Sequence, residues 1–294
     1  MSKQLSPKGL IISMIFEAES ANYGEGIGNV ASLKKMARGN GEQYTYISRQ
    51  AIRYNIIEQL NEPMATVKAE GSGDKKVIQF TPDASIKDYP EIDFFGYMKT
   101  KKGEGSATRS AKVRLSNAVS LETFKGDLDF LTNKGLADRL NENMNIAQSE
   151  IHRSYYRYTI TADLDQIGVD MGEGVNIENS EKARRVHKLL DTISLLYRDI
   201  RGRREDLKPL FSIGGVYNVK NPVFQNALEV KDNRVLVSTI EGVLFDVIKN
   251  DTYCGLIEGK FGNDKEIKEK LKAVSMPEFF SNIKRKVSEY YESC

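Results

Sequence analysis

The sequence has no tryptophan, only two cysteines and only two histidines in 294 residues. Cys254 and Cys294 are too few and too far apart for a disulfide framework or a cysteine-based metal site. His152 and His187 form neither HxxH nor HExxH, which removes the common zinc-hydrolase arrangements. An excess of one charge is also missing, with 43 Lys and Arg set against 41 Asp and Glu. No run approaches the roughly 18 apolar residues of a membrane span. The opening MSKQLSPKGLIISMIFEAES ends in two acids without a cleavage-like segment, so it reads as a first strand, and a cytoplasmic address is expected. The glycine-rich YGEGIGNVASLKK fits neither GxGxxG nor GxxxxGK, and no cofactor is implied.

What is present is periodicity. LIISMIF (10–16) predicts a strand, and RSYYRYTITADL (153–164) sets Tyr156, Tyr158, Ile160 and Ala162 against Tyr155, Arg157, Thr159 and Thr161. Ser48 is placed to cap a helix over 49–60 that stops before Pro63, and Asn179 or Ser180 to cap one running to about Tyr197. LKPLFSIGGVY (207–217) reads as a further strand. EVKDNRVLVSTI suggests a strand after a turn at Asp232-Asn233, and 264–272 and 277–291 suggest helices. IDFFGYM (92–98) and AKVRLSNAVSLE read as the two arms of a long β-hairpin over 92–121 with a basic tip. Strand–helix–strand thus occurs twice. The expected fold is α+β, a ferredoxin-like sheet with helices on one face and the other face exposed. The chain is read as a single elaborated domain over 1–294.

The cations are unevenly distributed. Residues 96–114 hold Lys99, Lys101, Lys102, Arg109, Lys112 and Arg114 against Glu104 alone, and residues 181–208 hold nine Lys or Arg against five acids. Such patches suit a polyanion, or cover an ordinary solvated face. Tyr155, Tyr156 and Tyr158 beside Arg153 and Arg157, and Tyr44 and Tyr46 near Arg49 and Arg53, match the mixture of flat rings and cations that single strands require. Lys34, Lys35 and Arg38 would form a basic side if their segment is helical. Arg49 and Arg53 fall on the side of Ile52, Ile56 and Leu60, where an arginine needs an anionic partner. That partner is either a bound phosphate or an internal carboxylate such as Glu17, Glu19 or Glu58. Asp163 and Asp165 offer oxygen ligands to a cation, and equally the means to fix a turn.

The blocks FEAESANYGEGIGN, YISRQAIRYNI, DFFGYM, RSAKVRLSNAVSLETFKGDLDFLTN and SEIHRSYYRYTITADLDQIG occur in order over roughly residues 8–220. In these the chain resembles the DevR-type backbone subunit of type I-B CRISPR surveillance complexes. The resemblance implies an RRM-like palm with helical insertions and a β-hairpin thumb. It also implies that several copies assemble along a crRNA, which then pairs with target DNA. It places Asn22, Arg49 and Arg53 near the guide and makes 92–121 the thumb. Many relatives carry Ser-Gly-Gln where this chain has Ser-Arg-Gln. Type III relatives cleave RNA with a loop aspartate; the early loop here has Glu17, Glu19 and Glu25 instead, so that activity is not carried over.

The expected protein is therefore a non-enzymatic crRNA-binding protomer. Its RNA contacts are expected at Asn22, Lys34, Lys35, Arg49, Arg53, Lys101, Lys102, Arg109, Lys112, Arg153 and Arg157. Its expected partners are neighbouring copies of itself, the guide-processing endonuclease and the large subunit, with no membrane. A metal-dependent ribonuclease of the same superfamily and a protein-only scaffold or regulator are the alternatives.

Overall fold

The computed structural model describes residues 6–24, 26, 28–70, 76–101 and 105–293. At its centre, four strands lie in the spatial order Phe211–Tyr217, Gly9–Ala18, Ser154–Asp163, and then Val113–Leu115 with Ala118–Ser120. Every neighbouring pair is antiparallel. Numbered along the chain, the order is four-one-three-two. The helix Arg49–Leu60 falls between the first and second strands, and the helix Asn179–Ser194 between the third and fourth. This is the ferredoxin-like double β-α-β. Further strands extend the sheet to nine, with Gln43–Ile47 and Lys35–Ala37 on one side and Thr252–Leu256 and Val274–Ser275 on the other.

The strand GLIISMIFEA is buried along almost its whole length, which explains its nearly unbroken apolar run. Its one polar core residue, Ser13, shares a 2.6 Å hydrogen bond with Thr159 on the adjacent strand. Gly214 lies opposite Ile12, and a Cβ there would run into the Ile11 carbonyl. On one face, Leu10, Ile12, Met14 and Phe16 join Tyr156, Tyr158 and Ile160 beneath three helices, which contribute Ile52, Ile56, Leu189, Ile193, Phe279 and Ile283. The third of these helices, Met276–Glu292, is capped by Ser275 and has Pro277 in its first turn.

The other face is not open as expected. Ile11, Ile15, Phe211 and Ile213 are covered by Phe224, Leu228, Ile240, Phe261 and Ile267 from the C-terminal third. Within that cover, Asp232 and Asn233 both have positive φ and join the paired segments Val230–Lys231 and Arg234–Val235, as their side chains favour.

The expected hairpin over 92–121 also differs. Pro90–Phe95 is a helix, with proline in its first turn, Glu91 and Asp93 as early acids, and Gly96 at its end. Gly96 has φ 77°, and a Cβ there would meet the Arg109 carbonyl. The hairpin proper is Tyr97–Lys101 with Gly105–Arg109; Val113–Leu115 and Ala118–Ser120 belong to the central sheet. Together with the hairpin Val67–Glu70/Val77–Phe80, these residues enclose a small core of Ala65, Ala84, Ile86, Ile92 and Tyr97.

This insertion is fastened to the palm by buried charge. Asp93 is fully buried and accepts from Arg109 at 2.8 Å, Arg185 at 3.1 Å and the Gly168 amide at 2.9 Å. Burial pushes its carboxyl upward, against the opposing pull of the Gly168 amide and both guanidinium groups. Lys99, also fully buried, pairs with Glu173 at 2.5 Å, and Tyr97 donates to Asp170 at 2.8 Å.

A separate arm leaves the body at Asp127–Thr132, turns through the helix Lys134–Leu140, and returns as Ile146–Ile151. All six residues of its outgoing strand are exposed. Phe130, Leu131, Leu136 and Leu140 are each at least 60% exposed, an apolar surface that the described protomer leaves uncovered.

Candidate nucleic-acid interface

The site is built around the start of the helix Arg49–Leu60. Ser48 caps it by accepting from the Ala51 amide, and Asn22 pairs with Ser48 twice, through its Nδ2 to the hydroxyl and its Oδ1 to the amide, both at 3.3 Å. Asn117 Oδ1 accepts the Arg49 amide at 2.9 Å. Asn22 therefore positions the helix end and joins the loop after the first strand to it. The first turn contains no acid and begins with Arg49. A helix N-terminus carries partial positive charge, so an arginine there adds like to like, an arrangement suited to receiving an anion.

Arg49 and Arg53 are exposed, although Ile52, Ile56 and Leu60 on the same side are buried. Their flank opens on a groove of about 440 Å³, bounded by Phe95, Arg114 and Leu115 across from the helix. Among the described residues neither arginine has an ion pair, and the carboxylates proposed for them are otherwise engaged or simply not paired with them. Glu17 is bound to Arg153 and Glu19 to Arg203. The Arg53 guanidinium lies 5.7 Å from the Phe95 ring centroid. Arg114 is half exposed and bonds Asp163 at 2.8 Å. Lys112, half-buried nearby, has its pKa lowered by burial and by the positive fields of Arg109 and Arg114.

The other expected contacts fall in different places. Lys34 is exposed and, among the described residues, has no ion pair; its segment is a loop leading to the strand Lys35–Ala37 rather than a helix. Lys35 instead bonds Glu150 at 2.6 Å and lies over Phe124. Arg109 is withdrawn into the Asp93 cluster and also donates to the Val169 carbonyl, because a buried carboxylate draws in the nearest cations. Lys102 and the side chain of Lys101 lie outside the described residues. Arg153 is exposed but bonded to Glu17 at 2.6 Å. Arg157 donates to the Leu228 carbonyl at 2.5 Å, and Tyr155 donates to Asn233 and the Lys260 carbonyl. The ring-and-cation strip at 153–158 is thus occupied in holding the C-terminal cover and the core, and it does not form an open platform.

One contributor is visible in the sequence only as part of the basic stretch 181–208, without a place in the site. The hairpin Tyr197–Ile200/Arg203–Asp206 clamps the loop after the first strand. Glu205 accepts from the Glu19 and Ser20 amides, and Arg203 reaches Glu19 and the Ser20 hydroxyl. At its turn, Arg201 stands 4.0 Å above the Tyr23 ring, beside Asn22. Its local signal within that basic stretch is RGRRED, a glycine set among arginines.

Chemistry of other kinds finds little support. Among the described residues no group of three or more His, Cys, Asp or Glu is arranged to hold a metal. Asp163 and Asp165 face Arg114 and Lys220, with Asp165 only 2.5 Å from Lys220. His152 is buried against Thr45 and Phe124, and burial lowers its pKa. His187 meets the Lys284 carbonyl at 3.0 Å. Among the described residues no helix is long and apolar enough to cross a membrane.

Solved structures similar in fold to this chain include the following two. A chain of one described as a "CRISPR RNA-guided surveillance complex, pre-nicking" aligns with TM-score 0.65 and 13% identity, covering 96% of this chain and 100% of that one. A chain of another described as a "CRISPR RNA-guided surveillance complex" aligns with TM-score 0.59 and 15% identity, covering 94% and 98%. No curated protein matches the sequence. The model of the family "CRISPR-associated negative auto-regulator DevR/Csa2" matches residues 10–236, and the chain belongs to that family.

Proposed function

We propose that the protein is a repeated, non-enzymatic backbone protomer of a CRISPR surveillance complex, and that it binds crRNA along the flank of the helix Arg49–Leu60. The observation that carries this is the pair Arg49 and Arg53, exposed and unpaired among the described residues, in a groove at a helix start that has no acid. Arginine's planar fork suits phosphate oxygens, and Phe95 offers a flat apolar wall. Lys34 and Lys112 extend the positive surface at either end, and Asn22 holds the helix start in place. The protein reads backbone and shape while guide pairing reads the foreign DNA, the division of labour of guided recognition. Other complex subunits, including the guide-processing endonuclease and the large subunit, act as partners in the cytoplasm.

The apolar arm Asp127–Ile151 takes the thumb role first expected of 92–121. Its exposed Phe130 and Leu131 have no cover among the described residues and suit contact with a neighbouring copy along the guide. A second reading, a protein-only regulator, is favoured by the family's description as a negative auto-regulator. Nucleic acid extracted from the purified protein separates the two: the backbone reading expects small RNA of uniform length, and the regulator reading expects none. Affinity for single-stranded RNA should exceed that for equal-length duplex DNA and fall with salt. Equal affinities with no salt dependence would overturn the proposal.

A further inference from the structure

Six non-glycine residues of the described chain have positive φ: Asn61, Asn141, Asp232, Asn233, Lys272 and Arg201. Four are Asn or Asp, which tolerate this conformation. Lys272 follows the helix Asp264–Leu271, where a cation complements the helix dipole. Arg201 has no such local reason. It occupies the first position of a two-residue turn, with φ 48° before Gly202 at φ 75°, where Asn or Gly is strongly preferred. A strained residue that the turn itself does not require points to a role for its side chain.

That side chain is exposed and prepared. Its guanidinium lies 4.0 Å over the Tyr23 ring, and the Tyr23 hydroxyl is tied to the Glu150 carbonyl at 3.2 Å. Among the described residues the acids of this region are engaged: Glu19 by Arg203, Glu150 by Lys35, and Glu205 by Arg198. Among the described residues Arg201 has no ion pair, and Lys34, whose amide bonds the Asn22 carbonyl, is equally uncompensated. Asn22 is next to Tyr23 and bonds Ser48, the residue before Arg49. One connected surface therefore runs from Arg201 through Tyr23, Lys34 and Asn22 to Arg49 and Arg53.

We infer that Arg201, stacked on Tyr23 at the turn of the 197–206 hairpin, is a second phosphate anchor for single-stranded RNA, separate from the Arg49/Arg53 groove. The inference rests on the RNA-binding reading above. Stacking holds the guanidinium flat while its N–H edge stays free for two phosphate oxygens. The hairpin, bonded to Glu19 and Ser20, fixes this anchor relative to the helix start. Together the two anchors define the direction in which a strand crosses the protomer.

The test uses the full chain, a poly(U) strand and a salt series. The variants are Arg201→Asn, which suits the turn but lacks the cation, Arg201→Lys, and the double variant Arg49→Ala/Arg53→Ala. Arg201→Asn should lower the salt slope by about 0.7, so that across a fourfold rise in salt the wild type loses about 3-fold more affinity than the variant. Its Tm should hold or rise, because asparagine relieves the turn. Arg201→Lys should retain the slope and bind more weakly than wild type. An unchanged slope in Arg201→Asn, while the double variant lowers it, would overturn this anchor and leave the proposed function standing. A fall in Tm with unchanged slope would make Arg201 a staple for the loop and overturn the anchor. Salt-independent binding by the wild type would remove both.

Discussion

Replacing Arg49 and Arg53 together with alanine should separate binding from folding. Both side chains are exposed and, among the described residues, without ion pairs. The stability cost is therefore the Arg53–Phe95 contact, about 0.5–1 kcal/mol at an exposed site. Alanine's better helix propensity returns a few tenths of a kcal/mol over two positions. The net change is under about 1 kcal/mol, and the Tm shift under about 4 °C for a chain of this size. Binding should respond far more. Two phosphate contacts to a single strand contribute about 1.4 to the salt slope. Between 50 and 200 mM salt, the wild type should then lose about sevenfold more affinity than the variant. Fluorescence anisotropy with labelled single-stranded RNA, beside thermal unfolding in the same buffers, reads both quantities. An unchanged slope would refute the phosphate assignment. A Tm loss above about 10 °C would show that these arginines hold the fold, and the groove would lose its functional meaning.

Asp93→Ala leaves Arg109 buried without its carboxylate and Arg185 with Glu181 alone, and should cost about 3–5 kcal/mol, read as a large Tm loss with faster proteolysis between 64 and 109; a Tm within 2 °C of wild type would contradict the fastening role. Hydrogen bonds from Arg184 and then Arg185 hold the Glu181 carboxyl down to about 2, against an ordinary 4.5. Its stabilising contribution is complete above the ordinary value and disappears as pH falls through about 2, so Glu181→Gln should flatten the stability–pH curve in that window; an unaltered curve would count against the pairing. Phe130→Ser/Leu131→Ser removes exposed apolar surface and should leave the protomer's Tm within about 0.5 kcal/mol equivalent. The same variant should fail to form multi-protomer species on RNA in sedimentation, and normal assembly would exclude the arm from contacts between copies.

How much of this could be read from the sequence depended on the range of the forces involved. The strand at 10–16, the alternation at 153–164, the Ser48-capped helix and the helices near 264–272 and 277–291 all carry local periodicity and caps, and they appear where expected. The 92–98 segment reads as a strand because Phe94, Phe95 and Tyr97 favour strands, whereas Pro90, the early acids and Gly96 make its first part a short helix. The true positions of Lys99, Arg109 and Arg185 had no local signal. Their partners are Glu173 and Asp93, and Asp93 is 92 residues from Arg185. The covered sheet face was hidden for a related reason. Tyr155 and Arg157 are amphipathic, and their polar tips find backbone and amide partners in the C-terminal third, so an enclosed face looks like a wet one. For Arg49 and Arg53 the side of the helix was legible, but the groove beside it was not, since its other wall comes from Phe95 and Arg114.

The placement of the first strand has a kinetic consequence. GLIISMIFEA is fully enclosed only when Ser154–Asp163 and Phe211–Tyr217 have paired along its two edges, and Ser13 is 146 residues from Thr159. At roughly 5–20 residues per second, the ribosome needs about 10–40 s to supply the second edge. Until Ser154–Asp163 emerges, which is most of that interval, a proline-free segment of high β propensity whose one charge is Glu17 has no native partner, which is the composition that self-associates. Pairings this distant in sequence also make spontaneous folding slow. Refolding yield should accordingly fall steeply with protein concentration, and a holdase that shields the first twenty residues during synthesis should raise soluble expression more than any stabilising change on the mature surface.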